Sequence, residues 1–133
     1  AEYIDRLVAE TGEAPALNQV EMSVSWRQDE LRDQMAARGV AVQAWGPLGR
    51  GKGLMQDERL AAIAQRHGVT PAQVALRWVW EQGVPMVAKS ANPQRRRANL
   101  DIHGFRLTPE DLALIDTIDQ ARTGKDPATN EEY

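Results

Sequence analysis

With 133 residues, 42% hydrophobic and 26% charged, the chain is long enough for one ordinary domain with a real core and carries no low-complexity tract. Its net charge of −3 and pI near 5.4 argue against a general nucleic-acid binder. The absence of cysteine excludes disulfides, thiolate catalysis and cysteine-based metal sites, and is compatible with a reducing cytosol, so a cytoplasmic protein is expected.

No apolar run approaches the roughly 18 residues that cross a membrane, and no signal peptide is recognisable. The chain lacks an initiator Met and opens inside a predicted helix, Glu2 to Thr11, which suggests a piece of something longer. That helix has Tyr3, Ile4, Leu7 and Val8 at helical spacing and can stop at Gly12. Pro15 leads into Ala16 to Met22, an alternating strand candidate. Ser25 is placed to cap a helix that runs to about Arg38 and closes at Gly39. Val40 to Trp45 is the second strand candidate, and Gly46 to Gly53 follows as a glycine-rich loop.

A helix from about Asp57 to His67 ends at Gly68. Thr70 with Pro71 then opens another, with Val74, Ala75, Trp78 and Val79 on one face and Gly83 at its end. The third strand is Val84 to Ala88. A short helix over Arg95 to Leu100 and a last one opening at Thr108-Pro109-Glu110-Asp111, with Leu112, Ile115 and Ile118 as its stripe, complete the order. From Gly124 onward the tail is polar, giving a division at 1–123 and 124–133. Strands alternating with helices predict an α/β fold with a parallel sheet buried on both faces. Three strands are few for such a sheet and leave exposed edges.

The charge is uneven. Residues 89–106 carry five cations (Lys89, Arg95, Arg96, Arg97, Arg106) against one acid, whereas residues 108–133 carry seven acids against two bases. A strand that ends on Lys89 and Ser90 and opens into an arginine-rich turn suits a phosphate, because lysine supplies a point charge and arginine a planar donor fork. The other reading is a solvated basic helix start. The Gly46 to Gly53 loop can cradle phosphates through its amides or serve as a surface connection; it matches neither the Walker pattern nor GxGxxG. Trp45, at a strand's C-terminal end, can stack on a flat ring or pack in the core. Gln19 shares a strand face with Leu17 and Glu21, which suggests the inside of a barrel near its mouth, where the amide hydrogen-bonds a ligand or a neighbour. Leu60 to Val79 has the outline of a helix-turn-helix, but few basic residues follow the turn, and a helix pair packed on a sheet is the preferred reading. His67 suits its helix C-terminus; it and His103, two isolated histidines, make neither a metal site nor a catalytic dyad.

Asn18-Gln19-Val20-Glu21, Ala44 to Gly49, Thr70 to Trp78, and Lys89-Ser90 with Arg95 and Asn99 occur in the order and spacing of aldo-keto reductases, and the resemblance runs from Ala1 to about Asp119. The stretches Met22 to Trp26 and Leu76 to Gly83 resemble the branch with plant-type polyketide and chalcone reductases. The resemblance implies an oxidoreductase with a (β/α)8 TIM barrel that binds NADPH at its C-terminal mouth. It further implies that Gln19 contacts the nicotinamide carboxamide and Trp45 stacks on the ring. Gly46 and Leu48 would line the pyrophosphate path, Lys89, Ser90 and Arg95 would hold the 2′-phosphate, and Asn99 would approach the adenine.

Three positions depart from the family pattern: Gly46 stands for a common serine, Ala88 for a proline and Ala98 for a polar residue near the adenine. A complete barrel takes about 250 residues, so this chain matches the C-terminal half. The family's catalytic Asp, Tyr, Lys and His lie in the other half, and no residue here matches them. The expectation is therefore a cofactor-binding half of a carbonyl reductase, inactive alone. The rival is a non-catalytic binding or assembly protein whose open sheet edges take a complementary half-barrel or a second copy. Neither nucleic acid nor membrane is an expected partner.

Overall fold

The structure, a computed structural model, describes residues 1–126 and 129. In chain order it contains α1 (Glu2–Thr11), β1 (Leu17–Glu21), α2 (Asp29–Ala36), β2 (Ala41–Trp45), α3 (Glu58–His67), α4 (Pro71–Glu81), β3 (Met86–Val87), α5 (Pro93–Leu100) and α6 (Pro109–Asp116). Short 3-10 turns at Gly49–Gly51 and Leu54–Gln56 occupy the loop after β2.

The helix starts follow from their caps. Asp57 accepts from the Arg59 amide at 2.9 Å, and Asn92 accepts from the Arg95 amide at 3.0 Å, so α5 begins at Pro93 rather than Arg95. Thr70 with Gln73 and Thr108 with Asp111 form capping boxes, each followed by proline at the first helical position. Ser25 is the exception. It is buried and its hydroxyl meets that of Ser23 at 3.1 Å, inside a tight turn closed by reciprocal Ser23–Trp26 backbone bonds. The helix therefore starts later, at Asp29, after Gln28 in a left-handed conformation. The last helix ends at Asp116, so Ile118 lies beyond it, yet remains buried.

The three strands are parallel in the order β1-β2-β3, with Gln19 opposite Gln43, Glu21 opposite Trp45, and Trp45 opposite Val87. Because side chains alternate along a strand, Val20 and Ala44 share one face. That face is buried with Leu60, Ile63 and Ala64 of α3 and with Val74, Ala75, Trp78 and Val79 of α4. Full burial of each large aliphatic side chain is worth about 1.5–3 kcal/mol, so this layer holds the domain. The α3–α4 pair is thus a packing unit against the sheet. The opposite face carries Leu17, Gln19, Glu21, Ala41, Gln43, Trp45 and Val87. No helix among the described residues covers it, and Leu17 and Val87 are each 45% exposed. The expected burial of both faces therefore holds on one face only.

Candidate cofactor site

The uncovered face is polar at its centre and aromatic at its C-terminal end. Gln19 Nε2 donates to Gln43 Oε1 at 2.5 Å, which orients both amides and leaves the Gln19 carbonyl oxygen free to accept. Trp45 is half-buried, and the Arg50 guanidinium lies over its ring, 5.4 Å from the centroid. Arg50 is one of two non-glycine residues with positive φ among the described residues, at 51°. The loop that presents it is tightly built: at Gly49, with φ +69°, an added Cβ would stand 2.7 Å from the Leu54 Cβ. Only glycine fits there. The loop is anchored on the core, since Gly49 and Leu54 are buried. Gly46 and Leu48, partly buried, follow Trp45 along it.

Two residues past β3 stand Lys89, exposed, and Ser90. The Ser90 hydroxyl faces the Asn92 backbone at 3.3–3.4 Å. Arg96 is tied back to its own loop, donating to the Ala91 carbonyl at 3.0 Å and the Ser90 carbonyl at 3.4 Å. Lys89 and Arg95 are different: no side-chain hydrogen bond or ion pair to another described residue engages either of them, and Arg95 is exposed. The Asn99 amide, half-buried on α5, is also uncommitted. Strand pairing thus brings Trp45, Gly46 and Leu48 to the C-terminal end of β2, with Gln19 mid-strand on neighbouring β1, Lys89 and Ser90 past the end of neighbouring β3, and Arg95 and Asn99 on the helix that follows.

Glu21 carries more than its sequence position announced. It is 2% exposed, and its carboxylate accepts from the Thr123 amide at 2.7 Å, from the Thr123 hydroxyl, and from the Gly124 amide at 2.8 Å. Burial by itself raises the Glu21 carboxyl; those bonds, with the Arg122 charge nearby, outweigh it and hold the group below the usual glutamate value. The Ala121 amide donates to the Ser25 carbonyl at 2.6 Å, so residues 121–124 run as a strap across the mouth end of the sheet. A polar acid on the same strand face as Gln19 was the available signal. Its partners lie about a hundred residues away and left no local mark.

A cleft of about 370 Å³ lies between the loop and residues 118–123, lined by Lys52, Asp57, Arg59, Arg122 and Thr123 among others. None of the sequence-predicted site residues lines it. The predicted site is an open sheet face rather than a cleft. No helix among the described residues is long and apolar enough to cross a membrane.

Comparison with known proteins bears on this arrangement. The family model described as "Aldo/keto reductase family" matches residues 1–120. An aldo-keto reductase of Mycolicibacterium smegmatis is 42% identical over 129 residues, which cover 96% of this chain and 46% of that protein. The 7-acetyl-epi-neemfruitin B aldo-keto reductase of Melia azedarach is 41% identical over 128 residues, covering 92% and 40%. Mycobacterial and plant relatives thus stand at equal distance, and identity does not single out a plant branch. The crystal structure of a Gox0644 variant in complex with NADPH superposes with a TM-score of 0.91 at 36% identity, covering 99% of this chain and 49% of that one. The chain spans about half the length of the curated relatives it matches. Its three parallel strands and flanking helices match about half of an aldo-keto reductase TIM barrel, which accounts for the uncovered face: it corresponds to the inside of the barrel. The chain belongs to the aldo/keto reductase family.

Proposed function

We propose that residues 1–133 are the cofactor-gripping half of an NADPH-dependent carbonyl reductase. The observation that carries the reading is the pair of uncommitted cations, Lys89 and Arg95, beside a strand whose neighbour ends on Trp45. A 2′-phosphate dianion needs a point charge and a donor fork, and this donor set fits one. The likeness to a Gox0644 variant crystallised with NADPH supports the same choice of cofactor. When bound, the reduced nicotinamide supplies a hydride to a carbonyl carbon. Gln19 accepts from the carboxamide, Trp45 gives the ring a flat platform, and Gly46 and Leu48 line the pyrophosphate path. Ser90 adds a neutral donor to the phosphate, and Asn99 borders the adenine.

These residues grip and orient; none delivers a proton to the carbonyl oxygen. General acid catalysis needs a positioned donor with a matched pKa. Glu21 is the one carboxyl group among the strand residues of the open face, and its hydrogen bonds keep it ionised. Tyr3 lies on α1 and is 68% exposed, and Tyr133 lies outside the described residues. On this reading residues 1–133 alone turn over no carbonyl substrate.

Arg95→Ala tests the phosphate assignment. Losing a charge-assisted hydrogen bond costs about 1.5–3 kcal/mol, so NADPH should bind about 10- to 100-fold more weakly while NADH changes little. Equal loss for both cofactors would overturn the assignment. A second reading, assembly through the open sheet, is favoured by two observations: β1 is an edge strand of the sheet, and α1 buries no residue and leaves Tyr3, Leu7 and Val8 exposed. Sedimentation equilibrium tests it: self-association that weakens on Leu7→Lys supports assembly, and a stable monomer at all concentrations sinks it.

A further inference from the structure

We propose that the Glu21 carboxylate is a latch that fastens the C-terminal strap, residues 122–124, onto the edge of the Trp45 indole and thereby sets the slot in which a flat ring stacks. The inference rests on the reading of Trp45 as the nicotinamide platform. Glu21 is a positioning residue in this account, since it acts through Trp45 and touches no reacting atom.

A buried carboxylate is costly unless its oxygens are satisfied, and here the donors all come from one tripeptide. Oε1 takes the Thr123 amide and hydroxyl, Oε2 takes the Gly124 amide, and Arg122 Nε stands 3.6 Å from Oε2, an ion-pair separation too long for a hydrogen bond. The latch and the platform sit side by side because Glu21 and Trp45 are register partners. The strap presses directly on the ring: a Cβ added at Gly124 would fall 2.6 Å from Trp45 Cη2 and 2.7 Å from Glu21 Oε2. No side chain fits at that position while both contacts are kept. Arg50 closes on the ring face, so the indole is held at its edge by the strap and on its face by a guanidinium. The carboxyl is held below its ordinary value, so the latch is charged at neutral pH.

Two variants reach the contact from opposite sides. Glu21→Gln removes the acceptors, and Gly124→Ala inserts a methyl group between strap and ring. In the ligand-free protein, the Thr123 and Gly124 amides of Glu21→Gln should exchange about tenfold faster or more, as expected for loss of charge-assisted bonds. The nuclear Overhauser contact between Trp45 Hη2 and Gly124 should vanish in both variants. Retention of that contact in both overturns the latch. Binding then separates the latch from the phosphate clamp. NADPH should weaken about tenfold in both variants, whereas adenosine 2′,5′-bisphosphate, which lacks the nicotinamide, should bind as before. Equal losses for the two ligands, or none for either, contradict the proposal. If the wild-type protein binds neither ligand, the cofactor reading fails, and the ligand-free contact still decides the latch.

Discussion

Asp111 is a side chain whose importance its sequence position hides. It is fully buried and receives bonds from Arg66, from His67 at 2.6 Å and from the Thr108 amide at 2.9 Å, joining α3 to the start of α6. Burial by itself raises its carboxyl, but these bonds outweigh burial and hold the group well below the ordinary aspartate value. A carboxyl depressed in the folded state adds stability that is complete above its unfolded pKa, about 3.9, and is lost as the pH falls toward the folded value. The urea midpoint should therefore fall between about pH 5 and pH 2, and Asp111→Asn should flatten part of that fall. At pH 7 the variant should lose about 2–3 kcal/mol, because its partners are left unsatisfied. Parallel pH curves for the two proteins would contradict this role. The sequence shows Asp111 only as part of a helix start. His67 reads in the chain as an isolated histidine, because its partner lies 44 positions away. Lys89 and Arg95 differ in kind: the role proposed for them rests on local charge and on the lack of partners among the described residues, and local charge is legible in a chain.

The helix caps follow the same division between local and distant. Thr70-Pro71 and Thr108-Pro109 predict helix starts because the capping bonds span three residues, and both form. Thr70→Ala and Thr108→Ala should each lower stability by about 1 kcal/mol, read as a shift in the urea midpoint at constant slope. Ser25→Ala should leave the helical circular dichroism of α2 intact, since Ser25 caps nothing; a loss of helix would restore the original expectation. Ser25 misled because a serine before a helix resembles a cap, whereas the Ser23–Trp26 turn and the Ala121 strap that claims its carbonyl are tertiary features. β3 is short for a related reason: only Met86 and Val87 are in ladder register with β2, beside the single bond that the Pro85 carbonyl accepts from the Ala44 amide. The apolar run at 84–88 signals a strand but not how much of it pairs.

For the molecule as a whole, the alternation of strands and helices makes the parallel α/β sheet legible, and the ordered motifs make the family legible. The uncovered face was legible only in part: the polar Gln19 face suggests a barrel interior, but burial on both sides is a property of complete parallel sheets, and this chain spans about half the length of its relatives. The same half-length accounts for a candidate site that is an open sheet face rather than a cleft. The most direct measurement is a titration of residues 1–133 with NADPH, followed by addition of an aldehyde panel while the absorbance of the reduced nicotinamide is monitored. The account predicts saturable binding that Lys89→Ala and Arg95→Ala weaken, with no oxidation above the buffer rate. Turnover comparable to an ordinary reductase would contradict it.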